Sequence, residues 1–184
     1  FYACGGGVCI AYGSIATVNN NVIRGNTAIA YSGGGVDVFH AQAVLRNNLI
    51  EDNFVNSPMG YSSGGGVSVD ATGHAELIKN TIRNNVVSGN LWARGGGVNV
   101  DGNSSITMTD NLIEDNAATQ GGGLSVARLS NVTVANNLFV NNVGGSEIHL
   151  AGGDARLLHN TLAGNASSSG FYVTTYSDSR TPAI

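Results

Sequence analysis

The chain has 184 residues, of which 27 are glycine, 42% hydrophobic and only 11% charged. That is too apolar for a disordered segment, long enough for one domain with a full core and, with two prolines, far from collagen. A formal net charge of −4 with no basic patch makes nucleic acid an unexpected partner, and no apolar run is long enough to span a membrane.

The sequence is built from a repeat. The first copy opens on GGGV at Gly5, with Val8 and Ile10 alternating, then Ala16 and Val18, then NVIRGN from Asn21. The second starts at Gly33 and keeps the order, with Val36 and Val38, Ala43 and Leu45, and NLIEDN from Asn48. The third, from Gly64, has Val67 and Val69, Ala75 and Leu77, and NTIRNN from Asn80. The fourth, from Gly95, has Val98 and Val100, Ile106 and Met108, and NLIEDN from Asn111. The fifth, from Gly121, has Leu124 and Val126, Val132 and Val134, and NLFVNN from Asn137. A degenerate copy, GGSEIHL from Gly144, leads through Ala155 and Leu157 to NTLAGN from Asn160, and GFYV from Gly170 ends the series. Glycine triplets lie 28, 31, 31 and 26 residues apart, while N-x-[I/L/F]-x-x-N keeps its internal spacing, so length varies only between the signatures.

Period-two alternation means strand, and no segment keeps a 3.6 period for three turns. Short strands of this kind bury a face only when coils stack at about 4.8 Å per step. The expected fold is therefore all-β: a right-handed parallel β-helix, a solenoid of three short parallel sheets and about six to seven coils, forming a single domain over residues 1–184. A chain starting at Phe1 without methionine reads as a mature product or a fragment of a longer chain, with any export signal out of view. Asn21, Asn48, Asn80, Asn111, Asn137 and Asn160 form one column of stacked amides at left-handed corners; Asn26, Asn53, Asn85, Asn116, Asn142 and Asn165 form another. The glycine triplets lack a following Lys-Ser/Thr and a helix, so they are tight corners and not a phosphate cradle. Arg24, Glu51, Arg83 and Glu114 alternate in sign from coil to coil and predict a surface ion-pair ladder.

Glycine corners of the type GG-x-[IV], alternating with F-x-x-N-like motifs, resemble the repeats of chlamydial polymorphic outer-membrane proteins. More broadly they resemble the parallel β-helices of the pectin-lyase-like superfamily found in bacterial surface proteins. The resemblance runs from Cys4 to about Val173, with GGGV in place of GGA-[IL], and Ile or Leu mostly in place of Phe; Phe139 is the exception. It implies an exported, cell-surface or outer-membrane-associated stalk or adhesin-like module without a catalytic role, with a glycan or a host-surface ligand as partner. The same superfamily contains pectate lyases and polygalacturonases, so a polysaccharide-binding or polysaccharide-degrading protein is the alternative.

A site on the first strand's outer face draws on the columns Cys9, Asp37, Ser68, Asn99, Ser125, His149 and Ala11, Phe39, Asp70, Asp101, Ala127, Ala151. Asp70 and Asp101 should stack about 5 Å apart, as strand-end turn acceptors, a glycosidase-like pair or sharers of a calcium ion. No arginine is expected on this face, because Arg94 precedes its glycine corner, and His149 reads as a solvated strand residue. His40, His74 and His159 fall in unrelated columns, so no metal triad assembles. The segments Phe54 to Ser63 and Val86 to Arg94 are longer than their equivalents and read as loops bringing Met59, Tyr61, Leu91, Trp92 and Arg94 beside the acidic pair. Trp92 there either stacks on a sugar ring or covers the coil edge. The candidate binding residues are Trp92, Tyr61, Arg94, Asp70, Asp101, Asp37 and Asn99, with no cofactor beyond the candidate calcium.

Val22, Leu49, Thr81, Leu112, Leu138 and Thr161 form an outward column suited to lateral assembly, and the open coil edges suit an end-to-end partner. Cys4 and Cys9 are bridged only if the first corner folds them together.

Overall fold

The computed structural model describes residues 5–29, 32–57, 61–89, 92–164 and 169–174; Cys4, Met59, Leu91 and Asn165 lie outside the described residues. Among the described residues all regular elements are strands, and all pair in parallel. The first sheet stacks Val8–Ala11, Val36–Phe39, Val67–Asp70, Val98–Val100, Leu124–Ala127, Ile148–Ala151 and Phe171–Thr174. The second stacks Ile15–Asn19, Gln42–Arg46, His74–Ile78, Ser105–Thr109, Asn131–Ala135 and Asp154–Leu158. The third stacks Val22–Arg24, Leu49–Glu51, Thr81–Arg83, Leu112–Glu114, Leu138–Val140 and Thr161–Ala163. The result is a parallel solenoid of about six turns.

Two further sheets come from the long inter-signature segments, which are strands where loops were expected. Thr27–Ala28, Phe54–Ser57 and Val86–Gly89 form a fourth sheet, and Tyr61–Ser63 pairs with Trp92–Arg94 in a fifth. Once one long segment is stacked on another, each backbone N–H finds a carbonyl one coil away, which a loop would leave to water.

Register follows the repeat: Val36 pairs with Val8 and Val67, Ala43 with Ala16 and Ala75, Ile50 with Ile23 and Ile82. A slip of one residue would turn every inward column outward, so burial fixes the stacking. Leu45, Ile50, Leu77, Ile82, Met108, Ile113 and Phe139 are fully buried in the main core. A second, smaller cluster of Ala28, Val55, Val87 and Ala93 fills the space behind the fourth and fifth sheets.

The two signatures meet where these clusters divide. A Cβ on the last glycine of the triplet, at Gly35, Gly66, Gly97 or Gly123, would lie 2.9, 3.1, 3.1 or 3.2 Å from the amide nitrogen of Asn53, Asn85, Asn116 or Asn142. Only glycine lets the strand approach the ladder this closely. The ladders are continuous. Asn48, Asn80 and Asn111 each donate from Nδ2 to Oδ1 of the next asparagine at 3.0, 3.0 and 2.9 Å. In the other column Asn26, Asn53, Asn85 and Asn116 do so at 2.9 Å, and Asn142 donates to Glu147 Oε1 at 2.8 Å.

The left-handed residue is the one before each ladder asparagine, not the asparagine itself. Asn20, Asn47, Lys79, Asp110, Asn136 and His159 have positive φ, as do Gly25, Asp52, Asn84, Asp115, Asn141 and Gly164. That corner turns the next side chain inward, where its amide meets the ladder. Cys9 is disulfide-bonded, and Cys4 is the chain's only other cysteine.

The ion-pair ladder is present. Glu51 accepts from Arg24 Nη1 at 3.1 Å and lies 2.8 Å from Arg83 Nη2, and Arg83 reaches Glu114 at 3.7 Å. It is not wholly a surface feature, because the Glu51 side chain is 5% exposed. The Glu51 hydrogen bond, followed by its charge, holds Arg83 even more firmly protonated than an ordinary arginine.

Two outcomes follow from these contacts. Asn111→Leu should destabilise by roughly 2–4 kcal/mol, because it leaves the Asn80 N–H without its acceptor and takes the Nδ2 donor away from the Leu77 carbonyl and Asn137 Oδ1 in a dry corner. Asp110→Gly at the neighbouring left-handed position should be neutral or stabilising by up to about 1 kcal/mol, and urea melts of the pair compare them directly. Arg83→Glu should lower Tm at high salt as well as low, because its partner Glu51 is screened little. Arg46→Glu, opposite Glu76 in a half-exposed pair at 4.0 Å, should cost stability only at low salt.

Candidate functional site

The first glycine of each triplet sets the geometry of the outer face. Gly33, Gly64, Gly95 and Gly121 have positive φ, and a Cβ on Gly95 would sit 2.8 Å from the Asn99 Cβ. The chain therefore folds over its own next strand, and the segment before the corner covers the column four residues after it. Asp37, Ser68, Asn99 and Ser125 are consequently buried, and Asn99 is 1% exposed. Asp37 lies 3.4 Å from the Ser32 hydroxyl inside this seam. Neither Asp37 nor Asn99 is at the surface, which corrects the outward reading of their column.

One column further, the face opens into a cleft of about 300 Å³ lined by Tyr61, Ser62, Ser63, Asp70, Trp92, Arg94, Asp101 and Arg128. Five of the seven sequence-derived candidates are thus brought together. Trp92 and Tyr61 are register partners on adjoining coils, 42% and 50% exposed. The Arg94 guanidinium lies 5.4 Å from the centroid of the Trp92 ring, with Nε donating to Gln120 Oε1 at 3.0 Å. Asp101 faces Arg128 Nε at 3.4 Å and Arg94 Nη1 at 3.9 Å, and accepts the Gly102 N–H at 2.7 Å. Asp70 accepts the Ala71 N–H at 2.6 Å.

Burial raises the Asp101 carboxyl above the usual carboxylate range, against the charge of Arg128. Asp70 adds to the rise, while the Gly102 N–H and Arg94 oppose it. A calcium ion finds little here, since both Asp101 oxygens already face guanidinium groups. Among the described residues no group of three or more His, Cys, Asp or Glu is placed to hold a metal.

A right-handed beta helix region is matched over residues 1–181, nearly the whole chain. The chain belongs to the right-handed β-helix family. No curated protein and no solved structure matches it.

Arg128 of this β-helix was missed as part of the face. Arg94, expected beside the acidic pair, comes over the face itself because the left-handed glycine after it reverses the chain. Arg128 arrives from a corner residue with φ 45°, which aims its side chain back toward Asp101. A positive-φ residue after a strand is the available signal, but an arginine does not advertise that conformation.

His149 is not solvated. It is 5% exposed, stacks on Tyr172 at 5.4 Å between ring centroids, and its Nδ1 has no hydrogen-bond partner. Burial first, and then the charge of Arg94, pushes its pKa down to about 4 from 6.5. The neutral ring is the form that fits, so its contribution to stability is complete above pH 6.5 and is lost as pH falls toward 4. The β-helix should lose up to about 3 kcal/mol across that window. His149→Phe, which keeps a ring against Tyr172, should flatten this part of a stability-versus-pH curve measured by urea melts.

Proposed function

We propose that this right-handed β-helix is a non-catalytic, extracellular or cell-surface module that holds carbohydrate in the Tyr61–Trp92 cleft. The observation that carries the reading is the pair of half-exposed aromatic residues in register on adjoining coils beside Asp70, Asp101, Arg94 and Arg128. Aromatic faces suit the C–H faces of sugar rings, and carboxylates beside guanidinium groups supply acceptors and donors for hydroxyls. The two aspartates and two arginines cancel in charge, and Asp101 is committed to ion pairs, which favours binding over bond cleavage. A rigid, disulfide-bearing solenoid with few charges also suits an exported stalk.

On an array of neutral and acidic polysaccharides, Trp92→Ala should weaken retention at least ten-fold, about 1.4 kcal/mol, and leave Tm nearly unchanged. Asp70→Asn should weaken it further, and chelator should change nothing. If no glycan is retained and Trp92→Ala lowers Tm by several degrees, the ring packs on the coil edge and the reading fails. A polysaccharide-degrading role has one observation in its favour: a carboxyl whose proton affinity burial raises, Asp101, lining the same cleft as a second carboxyl, Asp70. Release of new chain ends by the wild type, abolished in Asp101→Asn, would establish that role instead.

A further inference from the structure

The outer face of the third sheet plays no part in the cleft, yet its chemistry is ordered. Three columns run up it. Val22, Leu49, Leu112 and Leu138, with Thr81 among them, make an aliphatic column in which Val22 is 64% and Leu138 39% exposed. Beside it stands the ladder Arg24, Glu51, Arg83, Glu114. On the rim follow Gly25, Asp52, Asn84 and Asp115, with both aspartates exposed. The first and third coils are therefore basic on this face, and the second and fourth acidic.

We infer that this face is a self-association surface, which binds a second copy of the chain antiparallel across a two-fold axis lying between the second and third coils. The alternation of sign selects the arrangement. Antiparallel apposition about that axis sets the first coil on the partner copy's fourth and the second on its third. Arg24 then meets Glu114, Arg83 meets Glu51, Asp52 meets Asn84 and Asp115 meets Gly25, while the aliphatic columns lie on each other. Move the axis onto the third coil, and Glu51 faces Glu114 and Asp52 faces Asp115. Turn the copies parallel with ladder on ladder, and every charge meets its own kind. Like charges brought together oppose association and opposite charges set register, and the axis between the second and third coils is the one that pairs all four ladder charges with opposite charges.

The strip is about 24 Å long and roughly 16 Å wide, on the order of 400 Å² per copy. That is below a standard interface, so the dimer is weak and concentration-dependent. The ladder is already paired within each copy, and the Glu51 side chain is 5% exposed. The charges therefore set register, and the aliphatic column supplies most of the contact.

Sedimentation equilibrium of the 184-residue chain over a wide concentration range tests this. Wild type should show a reversible monomer–dimer equilibrium. Arg24→Glu alone and Glu114→Arg alone should each weaken it at least ten-fold, since each sets like charges against each other at both ends of the strip. An equimolar mixture of the two variants should restore association, because the carboxylate introduced at position 24 of one chain then faces the guanidinium introduced at position 114 of the other. Thermal melts of each variant alone check that both stay folded, since Arg24 pairs with the buried Glu51 within its own chain. A wild type that stays monomeric at every concentration overturns the inference. So does association that both variants leave unchanged, which would place the contact at the open coil edges, or a mixture no better than its components.

Discussion

An asparagine amide has two donors and two acceptor lone pairs, and in the inner corners of this solenoid all four are used. Asn116 donates to the Ile82 carbonyl and to Asn142 Oδ1, and its own Oδ1 accepts the Asn85 backbone N–H and Asn85 Nδ2. One side chain thus ties three successive coils. Aspartate there would stack charge on charge, and an aliphatic residue would leave several buried backbone groups unpaired. The last glycine of the triplet is the other half of this device, because it lets the opposite strand rest on the amides. The two signatures recur together because each is the other's packing partner across the interior.

That contact pinches the cross-section. On one side the first three sheets enclose the main core; on the other, the fourth and fifth sheets enclose the small cluster around Val55 and Val87. The pinch fixes where the small lobe begins and ends and leaves the length between free, which is why repeats of 26 and 31 residues stack in one register. Two consecutive long segments make a two-stranded fifth sheet, and its outward residues Tyr61 and Trp92 form one wall of the cleft. The cleft is therefore local to the coils that carry the long segments.

Most of the stack was legible because period-two alternation and invariant spacing are direct images of pleat and register. Alternation places Asn99 on the outer side of its own sheet, and that is correct. It does not say that a second layer lies on that side. The burial of Asp37 and Asn99 depends on a chain reversal at a single left-handed glycine, which no side-chain pattern records. Arg128 was hidden for the same reason, since a corner's handedness decides which face a neighbouring side chain reaches. Asp70, Asp101, Tyr61 and Trp92 were legible because they sit in register and need only the stacking to come together.

Stability and recognition are separable in a molecule stacked this way. Each coil touches only its neighbours, so disturbance spreads along the axis and fades. His149 belongs to the sixth strand of the first sheet, one coil beyond the strand that ends beside Arg128. Charging it weakens the stack from the C-terminal side, while the rings of Trp92 and Tyr61 rest on coils sealed by Asn85 and Asn116. Arg94 links the regions, since its charge disfavours the His149 imidazolium while its guanidinium lines the cleft. An anion drawn to Arg94 would ease that repulsion, whereas a neutral ligand held only by the aromatic rings would leave it unchanged.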